Sequence, residues 1–249
     1  MIKCMKFDVL TLFPSMFDAV LGDSIIGRAR EKGIIEMNFT DIRDFTLNKH
    51  RKVDDYPYSG GGGMLMQAQP VYDAYKSVTA DCEKKPLTIY MSPQGKVFNQ
   101  KTAVELSKEE HIVILCGHYE GVDQRVLDEI ADMELSLGDF VMTGGELPAM
   151  AVIDTVSRLI PGVLANEGSY ENESHYNGLL EYPQYTRPPI WNGHEIPEIL
   201  ISGHHANIEK CKREQSLLNT LKKRPDMLEK ADLTEEDMKF LERNGYKSE

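Results

Sequence analysis

Residues 111–117 read HIVILCG, five consecutive apolar side chains closed by a glycine. Such a run leaves no polar face, so it must be covered on both sides, as an inner strand of a parallel sheet is. Around it, strand-like and helix-like patterns take turns. MKFDVLTLF (Met5 to Phe13) mixes alternation with β-branched and aromatic residues. IIEMNFTDI (Ile34 to Ile42) and PLTIYMSP do the same, and MELSLGDFVM contains a last strand. Between them, PSMFDAVLGDSIIGRAREKG has the spacing of one or two short helices ending at Gly33. VYDAYKSV and GVDQRVLDEIAD are helical, and FNQKTAVELSKEE is a helix with Asn99 as N-cap. Residues 43–69 read as a long loop. Strands alternating with helices imply an α/β fold on a mostly parallel sheet.

Ligands of such sheets sit beyond the carboxyl ends of the strands. Three glycine-bearing loops fall there: MSPQG (Met91 to Gly95), CGHYEG (Cys116 to Gly121) and LGDFVMTGGELP, which begins at Leu137. They are expected to converge on one site. Gly144 and Gly145 stand where the last loop enters a helix. They serve either a tight turn or a ligand that touches bare backbone.

The pattern changes after GELPAMAVIDTVSRLIPGVL. The segment ANEGSYENESHYNG (Ala165 to Gly178) is small, polar and acidic, as a linker or mobile loop is. PQYTRPP is turn-like, HANIEKCKREQSLLNTLKKRP is a helix closed by Pro225, and LTEEDMKFLERNG is a helix with Thr234 as cap and Gly245 as stop. The expected organisation is an α/β domain over 1–164, a mobile linker over 165–178 and a smaller, mostly helical domain over 179–249.

Charge speaks first against a nucleic-acid partner. The formal net charge is −12, and phosphate neutralisation needs Lys and Arg. Binding depends on local patches, however. RDFTLNKHRK (Arg43 to Lys52) holds four Lys/Arg against one acid, and the stretch from His205 to Pro225 holds six against two. No apolar run approaches the roughly 20 residues that span a bilayer, and Asp8, Pro14 and Asp18 interrupt any signal-peptide pattern. Cys4, Cys82, Cys116 and Cys211 have no metal-ligand spacing and read as reduced thiols of a cytoplasmic protein. No dinucleotide GxGxxG, phosphate-cradling P-loop, HExxH or GxSxG pattern occurs; Gly60 to Gly63 lack the Lys-Ser/Thr that a P-loop requires.

The blocks DDYPYSGGGGM, YMSPQG, CGHYEGVDQR, LGDFVMTGGELPAM, SRLIPGVL, GLLEYPQYTRP and SGHH, in this order, resemble the bacterial tRNA (guanine-N1)-methyltransferases of the SPOUT superfamily. The resemblance covers nearly the whole chain. It implies a trefoil-knotted α/β domain, a homodimer with active sites at the subunit interface, and S-adenosylmethionine as methyl donor. The substrate it implies is the guanine just 3′ of the anticodon in tRNA. By resemblance the donor wall comprises Tyr90, Met91, Ser92, Gln94, Gly117, Leu137, Gly138, Phe140, Met142, Gly144, Gly145 and Pro148. On the residues alone, Tyr90 and Leu137 read equally well as core.

The family's catalytic arginine falls on Arg158, which a helix would otherwise pair with Asp154. Its general base, an aspartate of the linker, falls on Glu173. This is a departure, because glutamate is one methylene longer, and Glu171 and His175 stay open as alternatives. His50, Asp54, Gly63 and Glu120 are carried over as guanine or tRNA contacts. The basic helix offers His205, Lys212, Arg213, Lys222, Lys223 and Arg224 to phosphates, or to solvent. Mg²⁺ comes with the family as an optional ion, without a ligand cluster in the sequence. Two other readings stay open: a methyltransferase of the same fold acting on another RNA, and a non-catalytic RNA-binding protein.

Overall fold

The computed structural model describes residues 4–58, 60, 62–166 and 169–247. The chain forms two compact units, residues 1–167 and 168–249.

The first unit runs β1 (Met5–Thr11), α1 (Ser15–Leu21), α2 (Ser24–Glu31), β2 (Ile35–Asp41), β3 (Asp54–Asp55), β4 (Leu65–Met66), α3 (Ala68–Thr79), β5 (Leu87–Val97), α4 (Gln100–Leu106), β6 (His111–Cys116), α5 (Gln124–Ile130), β7 (Met133–Ser136) and α6 (Glu146–Ser157). Five strands make one sheet in the order β2-β1-β6-β5-β7, and every pairing is parallel. The apolar run is its central strand, β6, and Ile112 to Cys116 are fully buried. Helices α3 and α5 cover one face, setting Val71, Tyr75, Val126 and Leu127 against Leu10, Val113 and Leu115. Each such side chain contributes about 1.5–3 kcal/mol by leaving water. Helices α1 and α4 pack on α6. Asn99 caps α4 as expected, its Oδ1 accepting from Thr102 N at 3.1 Å.

Two sequence expectations need correction. MSPQG is not a loop that ends the third strand. Met91 and Lys96 both pair with Leu135, so Ser92 to Gly95 bulge out of a continuous β5. A Cβ on Gly95 would lie 2.4 Å from the Glu134 carbonyl carbon, so glycine is what lets the chain rejoin the ladder. Residues 43–69 are not wholly a loop either. They contain the two-residue hairpin of β3 and β4, with Asp54 opposite Met66 and Asp55 opposite Leu65. A ladder that short leaves no alternation to read.

The second unit contains β8 (Ile190–Trp191), β9 (His194–Glu195), α7 (His205–Lys223) and α8 (Glu235–Arg243). Its core gathers Leu179, Leu217, Leu228 and Leu241. Thr234 caps α8 reciprocally: its Oγ1 accepts from Asp237 N at 3.2 Å, and Asp237 Oδ2 accepts from Thr234 N at 2.9 Å. Gly245 follows with φ +92°. The β8–β9 hairpin was missed in the sequence, although Asn192-Gly193, both at positive φ, is a strong hairpin turn. Part of the expected linker has local order. Ser169–Asn172 form a 3-10 turn, the Tyr170 and Tyr176 rings lie 5.1 Å apart, and Glu181 N donates to Ser174 Oγ at 2.9 Å. Glu167 and Gly168 lie outside the described residues.

No helix among the described residues is long and apolar enough to cross a membrane. Cys4, Cys82, Cys116 and Cys211 are free thiols.

Candidate functional site

The β5 bulge, the loop after β6 and the loop between β7 and α6 enclose a cavity of about 360 Å³, within the range of small-molecule sites. From β5 come Tyr90, Met91, Ser92 and Gln94; from the second loop, Gly117 and Glu120. Leu137, Phe140, Met142, Gly144, Gly145 and Pro148 complete the positions singled out in the sequence. Gly138 is not in the wall; it sits at φ +156° and donates its N–H to Ser136 Oγ at 3.1 Å, shaping the loop.

The paired glycines have an immediate cause within the chain itself. A Cβ on Gly145 would lie 2.8 Å from Cys116 Cα, and one on Gly144 would lie 2.4 Å from both His118 Nδ1 and Glu146 Oε2. Gly145 N donates to Gly117 O at 2.8 Å, and His118 and Gly144 form a lone antiparallel bridge. The strand that ends β6 and the turn that opens α6 are thus pressed together, backbone on backbone. Neither glycine is there for a positive φ.

Burial, reinforced by Glu134, pushes the Tyr90 phenol up to about 12, so it stays neutral. Its hydroxyl packs where a Cβ on Gly117 would lie, 2.7 Å away. Burial, with Glu146 nearby, also pushes the Cys116 thiol well above its ordinary value, leaving it unreactive. Ser92 Oγ accepts from Gln94 N at 3.1 Å and stiffens the bulge.

Sequence reading missed a polar group at the cavity edge. Glu146, the first residue of α6, is 2% exposed. Its Oε1 accepts from Thr11 Oγ1 at 2.9 Å, and Thr11 Oγ1 accepts in turn from Phe13 N at 2.9 Å. Its Oε2 lies 3.7 Å from Nδ1 of His118, a buried nitrogen without a hydrogen-bond partner among the described residues. His118 lines the cavity. The available clue was an acid placed between two glycines and an apolar helix start.

The β3–β4 hairpin is tied to the same loop. Glu120 N donates to Met64 O at 2.9 Å, Met66 N to Gly121 O at 2.9 Å and Asp123 N to Met66 O at 3.0 Å. Asp54, paired with Met66, is thereby tied through backbone to the loop that carries Glu120, and a Cβ on Gly63 would meet Glu120 Oε1 at 2.4 Å. His50 sits on an exposed turn, its N–H on Asn48 Oδ1 at 2.8 Å. The basic stretch around it is largely self-neutralised: Arg51 pairs with Asp41 at 3.1 Å and with Asp44, and Arg43 lies 3.7 Å from Asp41.

Arg158 follows the last residue of α6, with its N–H on Asp154 O at 3.1 Å. Twelve helical residues separate it from Gly145, about 18 Å along the axis. It is not in the wall of this cavity. Glu173, Glu171 and His175 belong to the other unit.

The cations of α7, and Arg224 just after it, differ in their partners. Arg213 is held by Asp237, with Nη2 to Oδ2 at 2.8 Å and Nε to Oδ1 at 3.2 Å. Arg224 forks onto Asp226 at 2.7 and 2.9 Å, and Lys212 reaches Glu209 at 2.8 Å. Among the described residues, Lys222 and Lys223 are exposed without an ion pair, and His205 opens the helix, also exposed. Clusters of His, Cys, Asp or Glu able to hold a metal are absent among the described residues.

The family model "tRNA (Guanine-1)-methyltransferase TrmD" matches residues 5–230. The chain belongs to the tRNA (guanine-1)-methyltransferase family. A tRNA (guanine-N(1)-)-methyltransferase of Ruminiclostridium cellulolyticum is 62% identical over 226 residues, 91% of this chain and 97% of that protein. One from Clostridium perfringens is 57% identical over 95% of this chain and 99% of its own length. One from Clostridium botulinum is 56% identical over 95% and 97%. The parallel α/β sheet and the cavity at its carboxyl edge are therefore this family member's framework.

Proposed function

We infer that the protein methylates N1 of guanine in tRNA, at the base just 3′ of the anticodon, using S-adenosylmethionine. The observation that carries this reading is the meeting of the β5 bulge and two glycine-bearing loops around one cavity, in a chain that matches the family over residues 5–230. Tyr90, Leu137, Phe140 and Pro148 offer apolar surface for an adenine and a methionine chain, and Ser92, Gln94 and the backbone beside Gly117 offer polar partners. The donor, when bound, supplies a methyl group on a sulfonium, a good leaving group that makes a covalent enzyme intermediate unnecessary.

The protein's own tasks are alignment and proton transfer. Guanine N1 carries a proton at neutral pH, and its lone pair becomes available only as a base removes it. Glu173 takes this role in our reading, ahead of Glu171 and His175. Arg158 stabilises the charge that grows on guanine O6, and Asp54 holds the guanine edge. Holding the reactants in line is worth on the order of 7–11 kcal/mol.

The distance of Arg158 from its own cavity along α6 supports a homodimer, each cavity completed by the arginine of a second copy. The contact of Gly145 with Gly117 returns the chain after β7 to the loop after β6, which supports a trefoil knot. Phosphate contacts fall to Lys222, Lys223 and His205 before Arg213 or Arg224. A tRNA substrate places this work in the cytoplasm.

The test is nucleoside mass analysis of purified tRNA incubated with the protein and S-adenosylmethionine, with and without Mg²⁺. The expected product is 1-methylguanosine. A different methylated nucleoside, or product only from ribosomal RNA, would move the chain to another RNA target; no product would leave an RNA-binding protein. Glu173→Gln is expected to remove product while calorimetric binding of S-adenosylhomocysteine is unchanged.

A further inference from the structure

Glu146 is a buried carboxylate with one oxygen satisfied and the other aimed at a nitrogen it does not quite reach. Thr11 fixes the first oxygen at 2.9 Å. Because the Thr11 hydroxyl oxygen already accepts from Phe13 N, its proton is directed at the carboxylate. The second oxygen stands 3.7 Å from His118 Nδ1, and that nitrogen is buried without a hydrogen bond. Burying polar groups this way costs free energy unless the gap closes in some state of the molecule. The α6 dipole favours an acid at this position, but it gives no reason for the imidazole to be turned toward it. Gly144 lies against both groups, so the pair also occupies the space that any side chain on the turn would need.

The consequence concerns the other ring nitrogen. A partner at one imidazole nitrogen decides which nitrogen carries the proton. Closing the 3.7 Å gap would turn Nδ1–H to Glu146 and leave Nε2 its lone pair, on a residue that lines the cavity. We propose that Glu146 is a positioning residue which, through Nδ1 of His118, presents Nε2 as the acceptor for the exocyclic amine of the target guanine. This rests on the methyl-transfer reading above. The amine suits the role because it adjoins N1 on the same edge and keeps its protons throughout the reaction. No bond is made or broken by His118. It selects a purine with an amine there and holds N1 toward the methyl group.

The experiment compares an anticodon stem-loop RNA bearing guanosine with the same RNA bearing inosine, which lacks only that amine. Wild type is expected to favour guanosine at least tenfold in kcat/KM. Glu146→Gln and His118→Asn are each expected to lower kcat/KM about tenfold more for the guanosine RNA than for the inosine RNA, erasing the preference. The asparagine side chain imitates Nδ1 and lacks Nε2. The glutamine side chain imitates Nε2, so His118→Gln is expected to recover most of the preference. Nitrogen NMR of the His118 ring gives a readout apart from turnover: Nδ1 protonated in wild type, and a mixed population in Glu146→Gln. S-adenosylhomocysteine affinity of each variant, by calorimetry, separates lost guanine selection from a damaged donor pocket, because a damaged pocket lowers kcat/KM for both RNAs alike. A guanosine preference retained in His118→Asn overturns the proposal, as does an equal loss on both RNAs with weakened donor binding. If wild type makes no 1-methylguanosine, the methyl-transfer reading itself has failed.

Discussion

Glu146 at the start of α6 and Asp237 in the first turn of α8 are both buried acids, and their surroundings treat them differently. Asp237 is saturated: Arg213 reaches both of its oxygens, and Thr234 N donates at 2.9 Å. Asp8 in β1 is saturated too, by His111 at 2.6 Å, Asn38 at 3.0 Å and Lys6 at 3.1 Å. Among the described residues the Glu146 carboxylate has one hydrogen bond and lies 3.7 Å from an imidazole nitrogen that has none. A buried acid whose partners are complete fastens elements to one another, α7 to α8 or β1 to its neighbours. One left incomplete beside a cavity has capacity to spare for a ligand's sake. The two regions also differ in what holds them: the first unit buries a large apolar core and presses backbone against backbone through glycines at the cavity, whereas the second relies on a small leucine core and ion pairs.

The sharpest way to break this contrast is Gly145→Ala. Its Cβ would lie 2.8 Å from Cys116 Cα, and backbone cannot yield as a side chain can. S-adenosylhomocysteine affinity is expected to fall at least a hundredfold by calorimetry, while the urea unfolding of the second unit is unchanged. Next is Asp237→Ala. Breaking a fully buried pair costs about 3–5 kcal/mol; because the Arg213 side chain is 35% exposed, about 2 kcal/mol is expected here. Urea unfolding of the whole chain would measure it, with donor affinity unmoved.

Asp237 also predicts a pH effect. Burial alone would raise its carboxyl, but the hydrogen bonds from Arg213 and Thr234 outweigh that and hold it below the ordinary range. Its stabilising contribution is therefore complete above the unfolded value near 3.9 and is lost as pH falls through the lower, folded value. Acid titration of stability is expected to flatten below about pH 4 in Asp237→Asn. Smallest is the double change Lys222→Ala, Lys223→Ala. If these exposed cations take the phosphate contacts, tRNA binding weakens a few-fold, and the slope of log affinity against log salt drops by roughly 1–2. An identical result from Arg224→Ala would reassign the patch.

Much of the first unit could be read before any coordinates. A run apolar on both pleat faces can only be an inner strand, so β6 announced the parallel sheet, and three glycine-bearing segments announced their convergence, although one of them is a bulge within β5 rather than a loop. The reasons behind those glycines were hidden, because the groups they meet, Cys116 for Gly145 and Glu134 for Gly95, lie on neighbouring strands. The ion pair of Arg213 was hidden for the same reason, since its partner Asp237 lies 24 residues away. His118 and Glu146 were passed over because each is unremarkable in its own segment; only the return of the chain after β7 makes them a pair. Turn chemistry was under-read at Asn192-Gly193, where the dipeptide alone specified the hairpin.

The central claim is that the bulge at Ser92 to Gly95 and the pressed loops at Gly117 and Gly145 enclose the methyl donor. A crystal structure of the protein with S-adenosylhomocysteine tests it most directly. The account predicts the ligand between those segments, with the side chains of Tyr90 and Leu137 against it and backbone groups of the loop after β6 as its polar partners. Ligand bound elsewhere on the chain, with those loops facing solvent, would contradict it.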